Sequence, residues 1–200
     1  MRGRIPRADQ SRLTRLTRNL AHWANTRDSK ALNRLLAFTS TANEGMTMTR
    51  LETGAKAPAF ALPDADGNKI ALKDYLGTKV VVYFYPADDT PGCTKEACQF
   101  NENLKAFDRS GVTVLGISPD GAEKHQRFIT KYKLKFPLLT DETRSVMEKY
   151  GAYGEKVLYG KKTVGVIRST FIVDEKGKIA KAWYSVKADG HAAKVLEALD

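Results

Sequence analysis

Cysteine is nearly absent from this chain. Its 200 residues include two, Cys93 and Cys98. Two are too few to staple a small secreted scaffold. A bond between them would close a loop too short to constrain much of the unfolded chain. Histidine is almost as scarce: His22, His125 and His191 are scattered with no ligand spacing. Structural zinc takes four ligands, so no metal centre is expected. No stretch approaches the roughly 18 apolar residues that cross a bilayer, so no membrane-spanning helix is expected. The longest apolar run, Val80 to Tyr85, has the length of a buried strand. Internal repeats and low-complexity segments are also lacking.

Acidic residues are scarce at the N-terminus. Residues 1–45 carry eight Arg and one Lys against Asp9, Asp28 and Glu44, a net +6 of the chain's +10. A basic total suggests nucleic acid. Here, however, most of the excess sits in one separable segment. The remainder mixes both signs and has no basic stripe interleaved with aromatics, so nucleic-acid binding is not expected. The segment's Arg, Ser and Thr content, with Leu13, Leu16 and Leu20 at helical spacing, resembles an organelle transit peptide. It lacks the apolar core of a secretory signal. Two other readings stand beside it: a disordered basic tail, or a true start at Met46 or Met48. Residues 1–45 are therefore expected to be a basic, disordered extension and residues 46–200 the folded domain. The cytoplasm is the expected compartment, with an organelle the alternative if the extension is a transit peptide.

Within the domain the elements alternate. Pro58–Pro63 reads as extended, Asp64–Asn68 as a turn and Lys69–Leu72 as a returning strand. Val80–Tyr85 is β-branched and aromatic on both faces, as in a central parallel strand. The spacing predicts a loop over Pro86–Gly92 and a helix over Thr94–Asp108. A strand follows at Val112–Ile117, then a helix from Ser118–Gly121 to Tyr132, a strand at Phe136–Leu139 and a short helix at Thr143–Tyr150. Ile167–Val173 and Lys178–Ser185 form a hairpin. Asp189 is expected to cap a last helix, His191–Leu199. Strands alternating with helices imply right-handed crossovers and a three-layer α/β domain.

The chemistry concentrates in Pro86-Ala-Asp-Asp-Thr90-Pro-Gly-Cys93-Thr-Lys-Glu-Ala-Cys98, between a strand end and a helix start. Active sites of open α/β sheets collect at that edge. Free N–H groups and the helix dipole favour an anion there, and a thiolate is the nucleophilic form of cysteine. Pro91 and Gly92 suit a tight approach to the helix start, and Thr90 is expected to bring its hydroxyl near the sulfur. The plain alternative makes Cys93 a small buried hydrophobe. In an ideal helix, residues five apart have Cα atoms roughly 8.7 Å apart, beyond the about 7 Å a disulfide spans. Cys98 therefore reaches Cys93 only if the first turns unwind. Otherwise it is a core-facing cysteine. Glu96, Lys95, His125 and Arg144 read as solvated surface positions, and Phe84 and Tyr85 as core.

This window closely resembles the peroxiredoxins, in particular the bacterioferritin comigratory protein or peroxiredoxin Q group. Pro86, Thr90 and Cys93 match the family's Pro-x-x-x-Thr-x-x-Cys motif, and residues 90–98 match its Thr-Pro-Gly-Cys-Thr core and C-x4-C spacing. The family's active-site arginine falls at Arg168, in Gly165-Val-Ile-Arg-Ser-Thr-Phe-Ile-Val-Asp174. The likeness runs from about Leu51 to the C-terminus.

The resemblance implies a thioredoxin-like fold: three α/β/α layers, a central mixed sheet, an N-terminal β-hairpin extension and an inserted element. It implies that Cys93 attacks a hydroperoxide and becomes a sulfenic acid, with Thr90 and Arg168 assisting. Cys98 would resolve the sulfenic acid as a disulfide, which thioredoxin or a similar dithiol would reduce. No cofactor is implied, and the chain is expected to act as a monomer. Two other functions compete. A thioredoxin-like disulfide reductase favours C-x-x-C, against the four intervening residues here. A redox sensor or holdase would change shape without turnover.

Overall fold

A computed structural model of the chain describes residues 50–158 and 160–199. The N-terminal extension lies outside the described residues. Strands β1 (Ala61–Pro63) and β2 (Lys69–Ala71) form a small antiparallel hairpin. A five-stranded sheet follows, built from β3 (Lys79–Phe84), β4 (Val112–Ser118), β5 (Leu138–Thr140), β8 (Ser169–Val173) and β9 (Ile179–Tyr184), in the order β5-β4-β3-β8-β9. β3 runs parallel to β4, and β4 to β5, while β8 pairs antiparallel to β3 and β9. The sheet is therefore mixed, as expected. The helices are α1 (Pro91–Arg109), α2 (Ala122–Tyr132), α3 (Ser145–Lys149) and α4 (His191–Glu197).

Alternation along β3 explains the layers. Val80, Val82 and Phe84 face one core with Phe60, Leu115, Ile117, Tyr150 and Phe171, closed by Val146 and Met147 of α3. Val81 and Tyr83 face the other, with Ala97, Phe100 and Phe107 of α1, Phe128 of α2, and Ala192 and Val195 of α4. Burying each large side chain contributes about 1.5–3 kcal/mol. Both faces of β3 are covered, hence its uninterrupted apolar run.

Several boundaries differ from the sequence reading, each for a local reason. β2 stops at Ala71 because Leu72–Tyr75 curls into a 3-10 turn, where the Asp74 carboxylate accepts the Ala71 N–H at 3.1 Å. β5 starts after Pro137, which has no N–H for the ladder; its carbonyl instead accepts the Gly116 N–H at 3.1 Å. Asp189 does not cap α4. Gly190 occupies the N-cap with φ 71°, and Asp189 turns to Lys95 and Gln99 of α1. A further hairpin, β6 (Tyr153–Leu158) with β7 (Lys161–Val166), was not legible. Its lysines and its opposed Gly154 and Gly165 obscure the alternation that marks a strand.

Candidate active site

The loop after β3 and the first turn of α1 carry the reactive sulfur. Pro86 is half-buried just beyond the strand end. Thr90 is the N-cap in extended conformation, and Pro91 fills the first helical position, where a missing N–H costs nothing. Cys93 is the third residue of α1, so its N–H has no intrahelical acceptor. No acidic residue sits in that first turn, leaving the positive end of the helix dipole unneutralised.

Cys93 is 1% exposed. From the loop between β7 and β8, 75 residues on, Arg168 places Nη2 3.2 Å from the Cys93 Sγ. Gly92 borders the same guanidinium: a Cβ there would sit 3.5 Å from Nη2. The other guanidinium nitrogen, Nη1, donates to Glu96 Oε2. One planar fork thus bridges the sulfur and a carboxylate, a geometry that lysine cannot reproduce.

Three expectations are corrected here. Glu96 is not a solvated helix position but is fully buried, on the stripe of α1 that includes Cys93, Ala97 and Phe100. Burial pushes its carboxyl up to about 7, against the pull of Arg168. Its Oε1 has no partner, so the carboxylate is only half compensated. Burial likewise opposes the charge of Arg168, but Glu96 and the sulfur outweigh it. His125 is not a surface residue: it is completely buried on α2, with Nδ1 2.7 Å from Asp88 Oδ2. The Thr90 hydroxyl is not aimed at the sulfur; it donates to the Ala87 carbonyl at 3.2 Å. Lys95 and Arg144 are exposed, as read.

Cys98 lies on α1 as well, half-buried, and both cysteines are free. Burial and then Glu102 push its thiol above the ordinary value. Under Cys93, the Tyr83 hydroxyl is buried without a partner, and burial followed by the nearby Glu96 carboxylate holds it protonated. Among the described residues, no cluster of three or more His, Cys, Asp or Glu is placed to hold a metal ion. In the same residues no helix is long and apolar enough to cross a membrane.

The sequence signal for Glu96 was present. Positions 93, 96, 97, 100 and 107 recur at helical spacing, and an acid inside such a stripe is a buried acid. His125 and Phe128 repeat the pattern on α2.

A thioredoxin-like sheet with a cysteine at a helix mouth and an arginine on its sulfur defines a thiol-redox protein of the peroxiredoxin fold. The AhpC/TSA family model matches residues 53–182. A Mycobacterium tuberculosis protein named as a peroxiredoxin is 60% identical over 147 residues, covering 74% of this chain and 94% of its own. Peroxiredoxin Bcp of Escherichia coli is 44% identical over 149 residues, covering 74% and 96%. Among solved structures, the Xanthomonas campestris bacterioferritin comigratory protein, studied for alkyl peroxide reduction, superposes with a TM-score of 0.69. It is 37% identical and covers 74% of this chain and 97% of its own. The chain belongs to the AhpC/TSA family, as a peroxiredoxin, with the thiol-dependent peroxidase activity of that class.

Proposed function

We propose that Cys93 is the peroxide-reducing thiol, Cys98 the resolving thiol, and Arg168 and Thr90 the groups that assist them. The observation that carries this reading is the 3.2 Å contact between Arg168 Nη2 and Cys93 Sγ at the N-terminus of α1. A fixed cation and unpaired helix amides favour negative charge on the sulfur and on the oxygen it displaces.

The Cys93 thiolate attacks one oxygen of a hydroperoxide. The O–O bond breaks, an S–O bond forms, and the leaving alkoxide or hydroxide takes a proton to become alcohol or water. The product is Cys93 sulfenic acid. Thr90 donates to the peroxide once its hydroxyl leaves the Ala87 carbonyl. Cys98 then displaces water from the sulfenic acid and closes the disulfide. A thioredoxin-type dithiol reduces that bond by exchange and is itself oxidised.

Both sulfurs lie on one continuous helix, Pro91–Arg109. The first turns of α1 must unwind before they meet. Unwinding also takes Cys98 away from the burial and the Glu102 charge that raise its thiol above the ordinary value. One local opening therefore delivers the second sulfur and increases its thiolate fraction. Because a single chain holds both sulfurs, a monomer suffices for the cycle. We assign the protein to the cytoplasm, whose reductants regenerate such thiols.

Steady-state peroxide consumption with excess thioredoxin tests the reading. Cys93→Ser is expected to abolish turnover, because serine is far less nucleophilic at neutral pH. Persisting turnover in that variant would reject the assignment. Consumption of about one peroxide per wild-type chain would indicate a sensor instead.

A further inference from the structure

Asp88 lies five residues before Cys93, in the loop that leads to it, yet its carboxylate is fully buried. One oxygen accepts the Tyr85 hydroxyl at 2.6 Å, and the other meets His125 Nδ1 at 2.7 Å. The Asp88 N–H donates to Asp120 Oδ2 at 2.6 Å, and Lys124 holds that carboxylate from its far side at 2.8 Å. The next residue, Asp89, has φ 58° and is held by Lys131 at 2.7–2.8 Å and by the Tyr132 hydroxyl at 2.7 Å. Helix α2 therefore grips two successive loop residues. The grip reaches the active site through the chain itself: the Ala87 carbonyl, on the Asp88 peptide, accepts the Thr90 hydroxyl, and the Thr90 carbonyl accepts the Thr94 N–H at 2.8 Å to start α1.

We propose that His125 is a positioning residue for peroxide reduction, acting through Asp88 to hold the loop that carries Thr90 and leads to Cys93. The proposal rests on Cys93 being the peroxide-reducing thiol and adds a residue from a different helix to its support. Buried polar groups are costly unless paired, and this cluster leaves His125 Nε2 without a partner. An apolar side chain would fill the site without that cost, so the histidine's contribution lies in the bond made by Nδ1. None of the gripping groups belongs to the segment between Cys93 and Cys98. The loop is thus held while α1 opens, and the pocket re-forms around it on reduction. Peroxide chemistry needs the donors aligned along the O–O bond, and misplacement by about 1 Å costs up to about 100-fold. Alkylation by iodoacetamide needs only an accessible thiolate.

The test compares those two reagents on full-length protein with Cys98→Ser, so that reaction stops at Cys93. In His125→Leu, the second-order rate with hydrogen peroxide is expected to fall about 10- to 100-fold, with the iodoacetamide rate unchanged. His125→Asn restores a side-chain N–H at the Nδ1 position and is expected to regain most of the peroxide rate. Equal loss with both reagents, or no loss with peroxide, would overturn the proposal. If His125→Leu does not fold, Tyr85→Phe decides. It removes one donor from Asp88 with little change in volume, and an unchanged ratio of the two rates overturns the proposal. A parent Cys93 that reacts with peroxide no faster than a free thiol would instead overturn the peroxidase reading beneath it.

Discussion

Cys93 and Cys98 occupy one unbroken helix, so the two sulfurs of the proposed cycle cannot meet in the structure described. The proposed cycle is thereby divided into an attack that needs the helix intact and a resolution that needs it open.

Cys98→Ser separates the two halves. One rapid oxidation per chain is expected, followed by a stall with thioredoxin and progression of Cys93 to sulfinic acid under excess peroxide. Intact-mass measurement after a peroxide pulse checks it. An unchanged steady-state rate would remove Cys98 from the cycle.

The segment that the proposed cycle requires to open is clasped from outside. Lys95 Nζ meets Asp189 Oδ2 at 2.9 Å, and Gln99 donates to Asp189 Oδ1 at 3.0 Å while accepting the Gly190 N–H at 2.9 Å. Asp189→Ala is expected to speed disulfide formation and lower sulfinic acid yield. The initial attack on peroxide should be unaffected. Because the ion pair is exposed, added salt should narrow the difference between variant and wild type. Stopped-flow fluorescence separates the two steps. Slower disulfide formation in the variant would contradict this role for the clasp.

Arg168→Lys retains the charge but not the fork that spans sulfur and carboxylate. Losing one well-placed donor costs about 10²–10³ in rate in comparable sites. A fall of at least about tenfold is expected in Cys93 oxidation by peroxide. Melting temperature should also drop, because Glu96 stays buried with a poorer partner. Wild-type oxidation in this variant would show that the fork is dispensable.

Two buried groups oppose each other in pH dependence. Burial raises Glu96 from 4.5 to about 7. The folded protein therefore holds a proton that the unfolded chain has lost, and stability declines as pH rises between those values. His191 is lowered from 6.5 to about 4, by burial and then by Lys194 and Arg168. Its contribution is complete above 6.5 and is lost as pH falls towards 4. Over the shared range the slopes cancel in part. Glu96→Gln is expected to leave a stability that rises with pH from about 4 to 6.5, and His191→Asn one that falls from about 4.5 to 7. Thermal melts across pH check both, and variants with the wild-type profile would contradict the assignment of these groups.

Much of this protein was determined by local sequence. The apolar run of β3 demanded a strand covered on both faces. The Pro91-Gly92-Cys93 step after a strand demanded a helix start with a sulfur at its mouth. The five-residue spacing demanded unwinding before any bond. These conclusions need only backbone geometry and short-range periodicity. Tertiary structure decided what depends on distant chain segments meeting. Arg168 reaches Cys93 across 75 residues, and only the antiparallel placement of β8 beside β3 brings it there. His125 lies 37 residues from Asp88, and no local pattern records which carboxylate a buried imidazole will meet. Hydrophobic spacing says which side chains leave water. Which polar group pairs with which is settled only when the packed elements close, because an unpaired buried charge costs too much to leave to chance.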